Sequence, residues 1–373
     1  MPGTEVKKEF IVFGRPDISS AEYRAVLDVL ESGWLSTGKV CDMFAKEFEY
    51  RIGYGYAVPV SSCTMGLYLS LKYFNIGPGD EVLLPTITFC STANAIIATG
   101  AKPVFCEVTD SGHIDPFKLK ITERTKAIIP VHYTGSACDM NSILSIAKDT
   151  DLKVIEDSAH AFGGKYLDSN QNIGVKGDFS CFSFYATKNV TCGEGGMVLT
   201  DDPEQAEQIR ILSMNGLSSD SWNRYGSGKI KQYSIMVPGM KGNLSDIHAA
   251  IGLTQLRRWP EMKKTRDMIW EVYENYFGKK AYGHSTHLFT IEHEDRDGLR
   301  EFLYENGIGS GIHFRPLHLE PAYVHFGFKE GSFPVAEGIG RRTLSLPVSS
   351  TMTREDAEFI AQKVKDYGEG KNV

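Results

Sequence analysis

Apolar residues recur along this chain with two alternating periods. Short apolar runs at 56–60, 81–85, 103–105, 127–131 and 153–157 have the length and β-branched content of buried strands. Between them lie stretches in which apolar residues return every three or four positions. These predict helices over 17–33, 40–52, 65–74, 91–99 and 142–148. Ser19 or Ser20 is placed to cap the first helix, with Glu22 in its first turn, and Gly33 ends it. Short strands alternating with helices predict a mainly parallel sheet covered on both faces. Later in the chain, 203–214 reads as a helix. A helix capped by Ser245 runs to Leu256, and a separate amphipathic helix over 261–277 bridges to a second unit. That unit combines strands at 287–291 and 311–314 with helices at 297–306 and 354–366. The pattern predicts a large domain over 1–260 and a smaller α+β domain over 261–373. The Ser-, Gly- and Asn-rich stretch 218–229 predicts an exposed loop, and the last residues, 368–373, predict a frayed end.

Composition narrows the class. The chain has 373 residues, 42% hydrophobic and 23% charged, which fits a globular protein with more than one core. Its formal net charge is -7 and no basic run stands out, so nucleic acid is not an expected partner. No window reaches the roughly 18 apolar residues of a spanning helix, and the N-terminal stretch lacks a secretory pattern. The expectation is a cytoplasmic protein with no membrane partner. The seven cysteines form no Cys-x-x-Cys pair, which argues for reduced thiols and against a disulfide framework or a zinc site.

The candidate chemistry centres on Lys188. Aromatic and apolar residues precede it and the turn Gly193-Glu194-Gly195-Gly196 follows, ahead of the strand 197–200. Burial there lowers an amine's pKa and makes it a Schiff-base nucleophile; the other reading is a lysine that snorkels to water. Asp157 ends an apolar strand. A buried carboxylate needs a cationic partner, such as the protonated pyridine nitrogen of pyridoxal phosphate (PLP), or else it caps the next helix. Ser61-Ser62-Cys63-Thr64 joins a strand to a helix, the arrangement of an anion site and equally of a plain N-cap. Phe89 suits stacking on a flat ring or a place in the core. Glu194 suits a structural role in the turn that presents Lys188. The glycines do not form a dinucleotide fingerprint, which argues against an NAD-dependent oxidoreductase. His284, His287, His313 and His318 lack the carboxylate or cysteine partners of a metal site.

Taken together these residues resemble a known family. The run SFYATKNVTCGEGGMVLTDD, with VIEDSAHAFGGKY before it, is similar to the DegT/DnrJ-type sugar-nucleotide aminotransferases. SSCTMGLYLSL, DEVLLPTITFCSTANAI, AIIPVHYTGSACDM, GMKGNLSDIHAAIGLTQL, GIGSGIHFRPLH and LSLPVSS follow the family's order over nearly the whole chain. The resemblance implies a fold-type I PLP-dependent transferase of the α/β class. Its large domain carries a mainly parallel seven-stranded sheet between helices, followed by a smaller α+β C-terminal domain. It implies that Lys188 binds PLP covalently, Asp157 pairs with the pyridine nitrogen, Phe89 stacks on the ring and His160 stands beside it. Cys63, Thr64 and Ser183 fall where the phosphate is held, although Cys63 stands where glycine is frequent. Asn243 matches a position that reaches the phosphate of a second subunit, which implies a homodimer with a shared site. Trp34, Ser36, Thr37, His313 and His318 match substrate-binding positions. The implied reaction moves an amino group from glutamate to a nucleotide-linked keto-sugar, at C4 of a 4-keto-6-deoxy sugar. Such chemistry serves polysaccharide or antibiotic sugar biosynthesis. Amination of a 3-keto sugar or keto-cyclitol, a PLP-dependent sugar dehydratase, and a PLP-fold regulatory protein without turnover remain as alternatives. A lysine rather than a histidine at 188 favours amination over dehydration.

Overall fold

The computed structural model describes residues 10–218, 233–278, 280 and 282–369. In chain order it contains α1 (Ser20–Ser32), α2 (Lys39–Ile52), β1 (Tyr56–Val60), α3 (Cys63–Tyr73), β2 (Glu81–Pro85), α4 (Cys90–Thr99) and β3 (Lys102–Cys106). Next come β4 (Thr125–Ile128), α5 (Met140–Thr150), β5 (Lys153–Asp157), β6 (Phe179–Ser183), β7 (Gly196–Thr200) and α6 (Pro203–Ser213). The remainder comprises α7 (Asp246–Phe277), β8 (Phe289–Glu292), α8 (Arg296–Glu305), α9 (Pro334–Arg342), β9 (Thr343–Leu346) and α10 (Arg354–Glu369).

Seven strands form one sheet in the order β1-β7-β6-β5-β4-β2-β3. The pairs β3–β2, β2–β4, β4–β5 and β5–β6 are parallel, and β7 runs antiparallel to both its neighbours. The central strands are buried on both faces, as β2 shows along its whole length, which is why they read as continuous apolar runs rather than alternating ones. One core packs Leu67, Leu71, Ala93 and Ile96 of α3 and α4 on one face of the sheet. Phe44 and Phe48 of α2 pack with Phe182 and Phe184 on the other. A further core joins the second half of α7 to β8, β9, α8 and α10. Ile11, near the start of the described chain, pairs with Ile308 in this C-terminal part.

The first helix carries the expected cap: Ser19 accepts from the Ala21 backbone N–H at 3.2 Å, and Glu22 accepts from the Ser19 N–H at 2.8 Å. Three segments differ from the pattern-based expectation. The helices expected on either side of Pro260 are one continuous α7 with the proline inside it. Leu253, Leu256 and Trp259 bury against α2 and its neighbours, while Ile269, Trp270 and Tyr273 bury in the C-terminal core. Packing on both sides of Pro260 outweighs its missing N–H. The expected strand at 311–314 reduces to a single bridge between Gly311 and Ser345. Its partner strand β9 and the helix α9 before it are not among the expected elements: β9 has only four residues, and α9 is short and carries Gly338 and Gly340. Residues 219–229 of the expected loop lie outside the described residues.

Candidate active site

A cavity of about 480 Å³ opens past the carboxyl end of β5. Its walls come from the β1–α3 turn, the β2–α4 loop, the β6–β7 connection, and the segments around 287 and 313. Ligands of open α/β sheets bind at this edge.

Successive strand residues face opposite sides, so the two carboxylates ending β5 have different surroundings. Glu156 accepts from His132 Nε2 at 2.7 Å, from the backbone N–H groups of Gly177 at 2.6 Å and Lys176 at 2.9 Å, and from the Tyr166 hydroxyl. Burial raises its pKa, but these donors outweigh burial and hold it below the ordinary value. It is a satisfied structural carboxylate. Asp157 faces the cavity. It receives the Thr92 hydroxyl at 2.8 Å and the Ala159 N–H at 3.2 Å. Here burial wins and its pKa is raised.

Lys188 stands on the β6–β7 connection and is partly exposed to the cavity. Its backbone N–H closes a turn on Tyr185 O at 3.0 Å. Burial lowers its amine pKa to about 8. The loop is held at its base, where Phe184 N–H donates to Gly195 O and Cys192 N–H donates to Phe184 O, both at 2.9 Å. Gly196 is required there: a Cβ would lie 2.5 Å from the Cys63 backbone nitrogen. That close approach brings the lysine loop against the first turn of α3.

Ser62 caps α3 by accepting from Met65 N–H at 3.1 Å. The first-turn N–H groups of Cys63 and Thr64 have no intrahelical acceptor, and the helix dipole favours an anion there. The Cys63 thiol points elsewhere, 3.4 Å from Cys181 O and 3.9 Å from Asp157 Oδ1. What Cys63 can offer an anion is therefore its backbone N–H. Phe89 is 58% exposed and stands at the cavity wall. His160 stacks on Phe314 with centroids 5.8 Å apart, and its Nδ1 is buried without a hydrogen-bond partner among the described residues.

Eight of the expected site residues thus line one cavity: Cys63, Thr64, Phe89, Asp157, His160, Ser183, Lys188 and His313. Trp34, Ser36, Thr37 and Asn243 gather in a second cluster that does not line it. There Asn243 Nδ2 donates to the Thr37 hydroxyl, and Trp34 Nε1 donates to Thr37 O at 3.1 Å. His318 is fully buried between the Thr86 hydroxyl at 2.7 Å and Glu337 at 3.1 Å, off the cavity lining. No metal-ligating cluster of three or more His, Cys, Asp or Glu side chains occurs among the described residues. Sequence patterning passed over Thr92, Phe314, Asn189 and the cavity role of His287. Asn189 adjoins Lys188, the one signal that pointed to it; the others are brought in by tertiary contacts.

These residues fit PLP. A buried carboxylate with no ion pair among the described residues, an unpartnered buried imidazole nitrogen, an exposed aromatic wall, a helix N-terminus and an amine of lowered basicity each match one part of the cofactor. Comparison with known proteins agrees. The DegT/DnrJ/EryC1/StrS aminotransferase family matches residues 16–365. The spore coat polysaccharide biosynthesis protein SpsC of Bacillus subtilis is 42% identical, with 98% of each chain covered. The putative sugar aminotransferase Spr1654 of Streptococcus pneumoniae, solved in PLP and PMP forms, superposes with a TM-score of 0.89. In its PMP form it is 31% identical, covering 96% of this chain and 99% of that one. DesI, solved in the presence of its TDP-sugar product, superposes with a TM-score of 0.85 at 27% identity, covering 97% of this chain and 94% of that one.

Proposed function

This chain belongs to the DegT/DnrJ/EryC1/StrS aminotransferase family and is a PLP-dependent sugar aminotransferase; from that premise we propose that it moves an amino group from glutamate to a nucleotide-linked keto-sugar, at C4 of a 4-keto-6-deoxy sugar. The observation that carries this reading is the meeting of Lys188 and Asp157 in one cavity, an amine of lowered pKa and a buried carboxylate of raised pKa. When bound, PLP supplies an aldehyde that carries the amino group and a ring that withdraws electrons. Lys188, as a free amine, would carry the proton between the substrate carbon and the cofactor. Asp157 holds negative charge where the ring nitrogen is protonated, so the ring stays electron-withdrawing. Phe89 would lie against the ring, and His160 would stand beside it with its unpartnered nitrogen. The backbone N–H groups of Cys63 and Thr64, with Ser183, receive the phosphate.

On this reading residues 1–260 form the PLP-binding domain and 261–373 the small one. The active form is a cytoplasmic homodimer in which Asn243, off the cavity of its own chain, serves the site of a second copy. Trp34, Ser36, Thr37, His313 and His318 belong to substrate recognition, His318 by buttressing from behind the wall. Purified protein is predicted to be yellow, and glutamate to bleach the colour. A colourless protein that added PLP leaves unchanged overturns the reading.

A further inference from the structure

The side chain of Asn189, next to Lys188, fixes the protonation of a cavity residue. Its Nδ2 donates to Phe162 O at 3.1 Å and to Ser285 O at 2.8 Å. Both partners are carbonyls and only accept, so the amide nitrogen must face them and Oδ1 must face away. Oδ1 lies 3.0 Å from His287 Nδ1. An amide oxygen only accepts, so His287 carries its proton on Nδ1, and the neutral ring keeps a lone pair on Nε2. His287 is buried and lines the cavity. Its backbone is also pinned: Arg266 of α7 donates to Thr286 O and His287 O, each at 3.1 Å. The ring does not charge readily. Burial lowers its basicity, and His160, Lys188, Arg266 and His313 all oppose a further positive charge. The His160 ring is 4.8 Å away, centroid to centroid.

We propose that His287 is a specificity-determining residue: locked by Asn189 as the Nδ1–H tautomer, it offers Nε2 to the cavity as a permanent hydrogen-bond acceptor. It selects substrates that set a hydroxyl or ammonium donor against that wall and repels a carboxylate or phosphate oxygen. The substrate part rests on the sugar aminotransferase reading above. The tautomer part does not.

The first test uses PLP-loaded wild-type protein labelled with nitrogen-15 histidine. The His287 resonances are assigned by their loss in His287→Gln. Nitrogen NMR is expected to show Nδ1 protonated and Nε2 bare from about pH 6 to 9. An Nε2–H tautomer, or an imidazolium in that range, overturns the proposal; should His287→Gln not fold, His287→Leu or His287→Asn supplies the assignment. The second test is kinetic, on the aminated sugar. His287→Gln keeps an acceptor oxygen and is expected within about 5-fold of wild-type kcat/KM, while His287→Leu loses about 10–100-fold, mainly through KM. Equal losses in the two variants mean that the ring is only structural and overturn the selection. If the tautomer is as expected but no keto-sugar is aminated, the sugar reading falls and takes the proposed substrate with it. If sugars are aminated and the tautomer is wrong, this proposal alone falls.

Discussion

Lys188 stands in a poorly hydrated wall with its amine pKa near 8 instead of 10.5, so at about pH 7 the cofactor-free protein carries a charge there at some cost to folding. The folded state binds fewer protons than the unfolded one between the two pKa values. The penalty is therefore full below about pH 8 and fades as pH rises toward 10.5. Lys188→Met is predicted to stabilise the cofactor-free protein by about 2 kcal/mol near pH 7, a figure discounted for partial exposure. Urea unfolding at pH 7 and pH 10 checks this, the gain shrinking at the higher pH. The same variant should lose all transaminase turnover. Amine-directed labelling of Lys188 should speed up as pH rises through about 8 and level off above it. For Asp157, exchange to Asn keeps the shape and the Thr92 contact but removes the charge. A fall in kcat of about 10²–10³-fold is expected, the scale of losing one fixed electrostatic contact, measured by steady-state kinetics with saturating PLP. Lys188 and Asp157 were legible in the sequence because each follows a short apolar strand that fixes where it emerges. The Asn189–His287 contact was not, because it spans 98 residues and only the fold brings its ends together.

At the scale of elements, α2 shows the same limit. Its N-cap is Gly38, which has no side chain to accept from the helix. The acceptor arrives from the start of α7 instead: Asp246 takes the N–H groups of Gly38 at 2.8 Å and Cys41 at 3.0 Å. A charged cap at a helix N-terminus, buried in the protein, is worth more than an exposed one. Asp246→Ala is predicted to destabilise the protein by about 2 kcal/mol, read as a lower denaturation midpoint at unchanged slope. Local patterning set the ends of α2 to within a residue or two, yet what holds its first turn is 208 positions away. Pro260 makes the converse point. A local helix breaker lost to burial on both sides of it, so the expected gap between two helices closed into α7. At the β7–α3 contact, Gly196→Ala would force its Cβ to 2.5 Å from the Cys63 nitrogen. Spreading that contact should weaken PLP binding at least 10-fold, measured by titration of the cofactor absorbance.

Over the whole molecule, the alternation of strand and helix in the first two hundred residues made the sheet readable, because buried parallel strands carry an unbroken apolar signature. The C-terminal part was less readable. Its two-stranded sheet has short strands, and 311–314 contributes one bridge instead of a strand. The site draws on both parts: Lys188 and Asp157 stand at the edge of the large sheet, while His287, His313 and Phe314 close the cavity from the C-terminal part. An amine, a carboxylate and an anion-binding turn on one side thus face aromatic and imidazole groups on the other. That division suits a cofactor gripped by the sheet edge and a sugar held between the two parts. The most direct test supplies the PLP-loaded protein with nitrogen-15 glutamate and a panel of nucleotide-linked 3-keto and 4-keto sugars, with mass detection of each sugar. The heavy nitrogen is predicted to enter a 4-keto-6-deoxy sugar, and to enter none when Lys188→Ala is used. Label in no sugar, although glutamate bleaches the protein's colour, would contradict the account.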